Sequence, residues 1–417
     1  MERLKHHAHT ALRKSEKYFK TDMVYLTKGG FWLMFGHIIQ MASGLALAIM
    51  LSNLLPKEAY GKYQFIISAS AIIAGITLSG MGTALTRAVA RGATGTLSYA
   101  FKTQLLWSIG IIVTSGLISL YYFLNGNNEL ATAFLIVGIC TPFLSGFSLY
   151  RPYLEGRGFF RESTTLGIWR RPLPVIAVFI SLLFTDNPVI IIGTYFLSQT
   201  ISMGLLYLLV IEKYPEPQQS NPELLNYSKH LSVMGVVSLV ANNIDKILVF
   251  HFLGAAPAAA YTLAQLPSTQ ILKMFSLLGK IIFPKFAQRE LNILKKTLLR
   301  KILIFFTATI FVAILYIVAA PYIFKFIFPM YPEAVLLSQV LILTILAKPL
   351  MFYTQAFAAH GLKRPQYISQ ITVSVLKISL LLILVPLYGL WGAVWAILIA
   401  TLYWGTIVTI LFYRTKA

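Results

Sequence analysis

Apolar runs about twenty residues long recur from one end of the chain to the other, separated by short polar connections. The hydrocarbon core of a bilayer takes about twenty residues of helix, so the pattern predicts about twelve membrane-spanning helices and an all-α fold. They fall at 29–53, 62–87, 103–124, 130–151, 163–184 and 188–211, then at 229–253, 257–283, 301–322, 333–357, 366–386 and 388–413. One stretch departs from the pattern. Ser238 to Tyr261, SLVANNIDKILVFHFLGAAPAAAY, carries Asn242, Asn243, Asp245 and Lys246 inside an apolar helix before a Gly/Ala/Pro turn. A central Asp or Lys costs at least about 2.5 kcal/mol in hydrocarbon, a cost met where the helix faces protein or a wet cavity. The stretch therefore predicts a polar interior with this helix in its wall.

The spans divide into two related groups of six. LLPKEAYGKY, between spans one and two, is echoed by LGAAPAAAY between seven and eight, with Leu55 answering Leu253 and Tyr63 answering Tyr261. LEGRGFFRES after span four is echoed by AAHGLKRPQY after span ten. This predicts two pseudo-symmetric six-helix bundles around a central cavity, 29–211 and 229–417, with substrate held between them. The segment 212–228 is a polar linker, and 1–28 is a basic amphipathic segment suited to lie on an anionic lipid leaflet.

Composition agrees: 57% of residues are hydrophobic and 12% charged, and the mean hydropathy is +0.72. A soluble domain is about 25% charged. The net charge of +21 is first a matter of topology. Lys and Arg gather in alternate connections (Arg87, Arg91, Lys102; Arg151, Arg157, Arg161; Lys213, Lys229; Lys280 to Lys301; Lys363, Arg364), whereas NLLPKEAY, NGNNE, TDNP, GAAP, FPMYPE and VPLY are poor in them. Both termini are therefore expected in the cytoplasm. No cleavable signal pattern precedes the first run. Cys140 is the only cysteine, which excludes an internal disulfide and leaves no zinc or haem spacing. No cofactor, metal or nucleic-acid partner is expected.

Cations inside the spans carry the candidate chemistry. They are Arg170 and Arg171 on span five, Lys246 on seven, Lys273 on eight, Lys348 on ten and Lys377 on eleven. Lys273 and Lys348 could instead snorkel to the headgroups. Lys377 falls close to where the half-repeat places Arg171, so each half offers a cation to one shared cavity. Such a cavity suits an anion, and Arg suits phosphate. Of the acids only Asp245 lies well inside a span, as a coupling site for a proton or cation or as the structural partner of a Lys or Arg from another span. His37, Gln40, Asn242 and Asn243 are further polar candidates for the cavity, although such groups more often bond between helices, as is expected of Gln199, Gln265, Gln270, Gln355 and Gln370. Pro142, Pro172, Pro174, Pro267 and Pro349 are expected to break their spans.

LSNLLPKEAYGKYQFIISASAIIAGITLSGMGTALTRAVAR resembles the opening of the bacterial polysaccharide and O-antigen flippases, within the multidrug/oligosaccharidyl-lipid/polysaccharide exporter superfamily. DKILVFHFLGAAPAAAY resembles the family's second copy of that motif, and VPLYGLWGAVWA resembles the start of its last span. Ala259 stands where the first half has Gly61, a departure that loosens the repeat. The resemblance implies a carrier of a polyprenyl-diphosphate-linked oligosaccharide, moved from the cytoplasmic to the outer leaflet of the bacterial inner membrane by alternating access. It also implies a coupling ion, Na+ or H+. A multidrug exporter of the same superfamily would want more acids in the lumen. A lipid II flippase would carry two further spans. A membrane glycan polymerase or ligase would need a sizeable loop with acids or a metal site.

Overall fold

The computed structural model describes residues 23–93, 95–215, 222–287 and 290–415, and all regular structure among them is helical. Most of the expected amphipathic segment at 1–28 lies outside the described residues, the first helix starting at Met23. The first half comprises span one (Met23–Leu54), span two (Lys57–Gly75 and Met81–Ala90), span three (Thr96–Trp107 and Ile109–Leu124), span four (Asn128–Phe147 and Tyr150–Gly156), span five (Phe160–Trp169 and Pro172–Phe184) and span six (Pro188–Lys213). The second comprises span seven (Pro222–Leu253), span eight (Ala255–Ala287), span nine (Leu291–Ile327) and span ten, in which a 3-10 stretch, Ile342–Leu350, joins Ala334–Leu341 to Met351–Ala359. Spans eleven and twelve share Lys363–Arg414, folded back on itself at Gly389 (φ 58°, ψ −137°). A positive φ of this kind suits glycine. Gly392 completes the turn, since a Cβ there would lie 1.9 Å from the Leu384 carbonyl oxygen.

Nine of the helical stretches are long and apolar enough to cross a bilayer among the described residues, the last of them being the folded pair. Spans two and eight are the exceptions, and the packing explains why. Span two lies against spans seven and eight, so both helices face protein. They carry Gln64, Ser68, Ser70 and Thr77, and Thr262, Gln265 and Ser268. Asn127 and Asn187 cap spans four and six, accepting from the backbone N–H of Leu130 (3.0 Å) and Val189 (2.9 Å), as N-caps do.

Of the prolines, Pro172 and Pro174 follow a break in span five, and Pro349 lies in the 3-10 stretch, whereas the helices run unbroken through Pro142 and Pro267. A single proline in a packed membrane helix is tolerated when neighbours satisfy the freed carbonyl. The polar linker is shorter than expected, because span seven already begins at Pro222.

The halves meet closely on the face poor in Lys and Arg, called here the neutral face. Asn53 Nδ2 donates to the Ile327 carbonyl at 2.8 Å. Lys57 pairs with Glu333 at 2.6 Å and lies over the Tyr331 ring at 5.2 Å. Deeper in, Phe65 stacks on Phe250 with centroids 4.1 Å apart. Gly61 lies so near span eight that a Cβ would sit 1.8 Å from the Ala255 carbonyl oxygen. Overpacking of this kind costs about 1–3 kcal/mol, so Gly61→Ala should shift the population away from this closed arrangement by about fivefold to a hundredfold. With Cys140→Ser as background, a cross-link between Asn53→Cys and Ile327→Cys should fall accordingly in the Gly61→Ala chain. An unchanged yield would show that the contact does not govern closure.

Candidate functional site

Span five is interrupted where its arginines stand. Arg170 and Arg171 form a turn between Phe160–Trp169 and Pro172–Phe184. Pro174 has no N–H to give to the carbonyl four residues earlier, that of Arg170. Ser202 Oγ of span six donates to that carbonyl instead, at 3.1 Å. The Arg171 N–H turns to the Ile168 carbonyl at 3.1 Å, which Pro172 leaves unsatisfied. Two prolines and one serine thus hold a pair of arginines at a break within the membrane.

Arg171 is partly buried, and its Nε has no hydrogen-bond acceptor among the described residues. It lies within electrostatic range of Arg170, Arg151, Tyr195 and Tyr150. From the other half, Lys273 of span eight lies within range of Arg171. Lys246 of span seven lies within range of Lys273, Lys377 and Asp245. Each of these cations is therefore within electrostatic range of another, from span five of one half to spans eight, seven and eleven of the other. Lys348 stands apart, in the 3-10 stretch, with burial and no charged neighbour acting on it among the described residues.

Asp245 is only 2% exposed and has company from two other spans. Its Oδ2 accepts from Gln265 Nε2 at 2.7 Å and from the Tyr261 hydroxyl at 3.1 Å. Lys377 Nζ lies 3.8 Å from the same oxygen and donates to the Ala241 carbonyl at 2.6 Å. Asp245 Oδ1 has no partner among the described residues. The carboxylate thus ties spans seven, eight and eleven together, and Lys377 is engaged with it. Asn243 is half-buried and donates to the Leu239 carbonyl at 2.9 Å, while Asn242 is exposed. His37 and Gln40 are half-buried on span one. That helix touches span five so closely that a Cβ on Gly36 would meet Thr164 Cγ2 at 2.6 Å.

Several neighbours of the site escape sequence reasoning. Arg151 reads as a topological charge, yet it lies near Arg171 while paired with Glu155 at 2.9 Å. Tyr150 and Tyr195 look like any other aromatics of an apolar span. Gln265 bonds between helices as its type and place lead one to expect, and Tyr261, four residues before it, shares its helix face. No group of His, Cys, Asp and Glu able to hold a metal occurs among the described residues. Chemically the arrangement offers concentrated positive charge with its one buried acid already engaged, a setting for a multiply charged anion.

A family model described as polysaccharide biosynthesis protein matches residues 26–290. No curated protein sequence matches the chain. Among solved structures, an inward-facing multidrug resistance MATE family transporter of the MOP superfamily superposes with a TM-score of 0.71 at 16% identity, over 91% of this chain and 96% of that one. The outward-facing form of such a transporter gives 0.64 at 17% identity, over 94% and 97%. A MOP superfamily transporter from Pyrococcus furiosus, described as having a binding pocket of reverse polarity, gives 0.62 at 16% identity, over 94% and 96%. These likenesses establish the fold: two helical bundles arranged as in those transporters.

Proposed function

This chain belongs to the polysaccharide biosynthesis protein family, and from that premise we propose that it is a flippase for a polyprenyl-diphosphate-linked oligosaccharide. The observation that carries the proposal is Arg171, a partly buried guanidinium whose Nε lacks an acceptor among the described residues, with Lys273 of the opposite half within electrostatic range. The diphosphate is the one part of a lipid-linked glycan that keeps its charge whatever the sugars are. A carrier indifferent to sugar sequence gains by gripping the diphosphate, and an Arg fork suits phosphate oxygens. Arg170, Arg171, Lys273 and Lys246 would serve as successive stations. Lys348 and the polar groups His37, Gln40, Asn242 and Asn243 would line the wider passage for the glycan. Lys377 and Asp245 would hold the wall together, with Asp245 as the candidate point of coupling to Na+ or H+. The prenyl tail would stay in lipid, at a gap between the halves.

We place the protein in the bacterial cytoplasmic membrane, with the basic face toward the cytoplasm and transport running outward. A multidrug-type role is the weaker assignment, because an organic cation would find only Asp245, already engaged by Lys377. Reporter fusions at Asn127 and Asn221 should report opposite sides of the membrane; the same side for both would refute the orientation. Proteoliposomes and a deletion strain, assayed for the leaflet holding the lipid-linked glycan, test the function. Loss of the protein should trap unmodified glycan on the inner leaflet. Outer-leaflet accumulation without it, or chemical change of the glycan by it, would refute the assignment.

A further inference from the structure

The break in span five has a second product. Pro172–Phe184 packs on span six, whereas Phe160–Trp169 leans on span one. The basic-face parts of spans five and six therefore diverge, and a cleft of about 700 Å³ opens between them. Its wall includes Leu166 and Leu209, and its rim includes Arg161, Glu162, Glu212 and Lys213. Span six presents exposed Leu205, Leu208 and Leu209 along this length, a surface suited to hydrocarbon. The helix ends at Lys213, so the rim stands where hydrocarbon gives way to headgroups.

The rim charges balance, two cations against two carboxylates. The cations rest on aromatic faces, Arg161 over Trp32 at 5.5 Å and Lys213 over Tyr214 at 5.4 Å. Neither Glu162 nor Glu212 forms an ion pair among the described residues. An anion alone would meet both carboxylates, and a cation alone would meet both basic groups. A molecule carrying one charge of each sign, with apolar chains attached, fits every part of the cleft.

We propose that this cleft binds a phospholipid with a primary ammonium headgroup, phosphatidylethanolamine. Its phosphate oxygens accept from Arg161 and Lys213, its ammonium donates to Glu162 and Glu212, and its chains lie along Leu166 and Leu209. A choline headgroup has the same charges but no N–H to donate, and a glycerol headgroup has no cation. The lipid would hold Phe160–Trp169 away from span six, beside the break that carries Arg170 and Arg171.

Native mass spectrometry of the full chain, equilibrated with equal amounts of phosphatidylethanolamine and phosphatidylcholine, tests this. Charge-assisted hydrogen bonds to the ammonium should favour phosphatidylethanolamine by at least about tenfold. Glu162→Gln with Glu212→Gln should abolish the preference while leaving phosphatidylcholine binding as it was. Glu212→Gln alone, at an exposed helix end, should lower the preference even if the double variant fails to fold. Arg161→Gln should weaken retention of both lipids. Equal retention by the unaltered protein, or a preference that survives loss of the carboxylates, would overturn the proposal. So would competition by free glycerophosphoethanolamine at equal molarity, which would show that the cleft takes a soluble zwitterion and not a lipid.

Discussion

Arg171→Gln should reduce export of the lipid-linked glycan by about tenfold to a hundredfold while leaving the protein inserted and abundant. The range follows from losing a hydrogen bond between charged groups, worth about 1.5–3 kcal/mol. The fold should not suffer, because Arg171 Nε bonds to nothing among the described residues and its charged neighbours include Arg170, Arg151 and Lys273. Removing a crowded cation should leave thermal stability level or slightly higher. Arg171→Lys should keep part of the activity, since the charge remains but the planar fork is lost. Export by proteoliposomes, set against abundance and unfolding temperature for each variant, separates these outcomes. Full export by Arg171→Gln at normal abundance would remove Arg171 from the site.

Asp245 and Lys377 should behave in the opposite way. Asp245→Ala leaves Lys377 Nζ in a setting where its side chain is only 17% exposed, and strands the Gln265 and Tyr261 donors that met at one oxygen. Breaking a buried pair on one side typically costs about 3–5 kcal/mol. Lys377→Met should cost a similar amount. The double variant Asp245→Ala/Lys377→Met should recover most of that loss, because apolar replacements of a buried pair are often neutral. Thermal unfolding of the four proteins in one detergent gives the coupling directly. Additive losses would show that the 3.8 Å approach has no energetic content. Retained export by a stable double variant would assign the pair to structure. A stable double variant that no longer exports would place ion coupling at Asp245.

The helical architecture was legible in the sequence because the bilayer enforces it: long apolar runs have almost no alternative to helix there. Interruptions were harder to read. Pro172 and Pro174 stand two residues apart, so together they deprive both Ile168 and Arg170 of a donor, and the span breaks. Pro142 and Pro267 act alone, and their helices continue. Gly389 is visible in the sequence only within VPLYGLWGAVWA, the stretch that resembles the start of the family's last span, since nothing in its neighbours announces a positive φ. The charged candidates could be chosen by depth, but depth does not say which of them touch. Lys377 looked like a counterpart of Arg171, yet it spends its charge on Asp245 and Ala241. Arg151 looked peripheral because it lies at the end of span four, and the neighbouring spans bring it near Arg171. Contacts between distant spans are set by packing of side chains across helices, which no periodicity along one helix encodes.

The connections on the neutral face are all brief: residues 55–56, 125–127 and 185–187, Gly254, 328–333 and the turn at Gly389. A protease needs a length of backbone it can draw into its own cleft, and exposed loop tips usually supply it. Here almost none is on offer, and Lys57 and Glu333, at the edges of two of these turns, hold each other across the halves. Whatever meets the protein from that side finds a low, closely tiled surface with no handle on it.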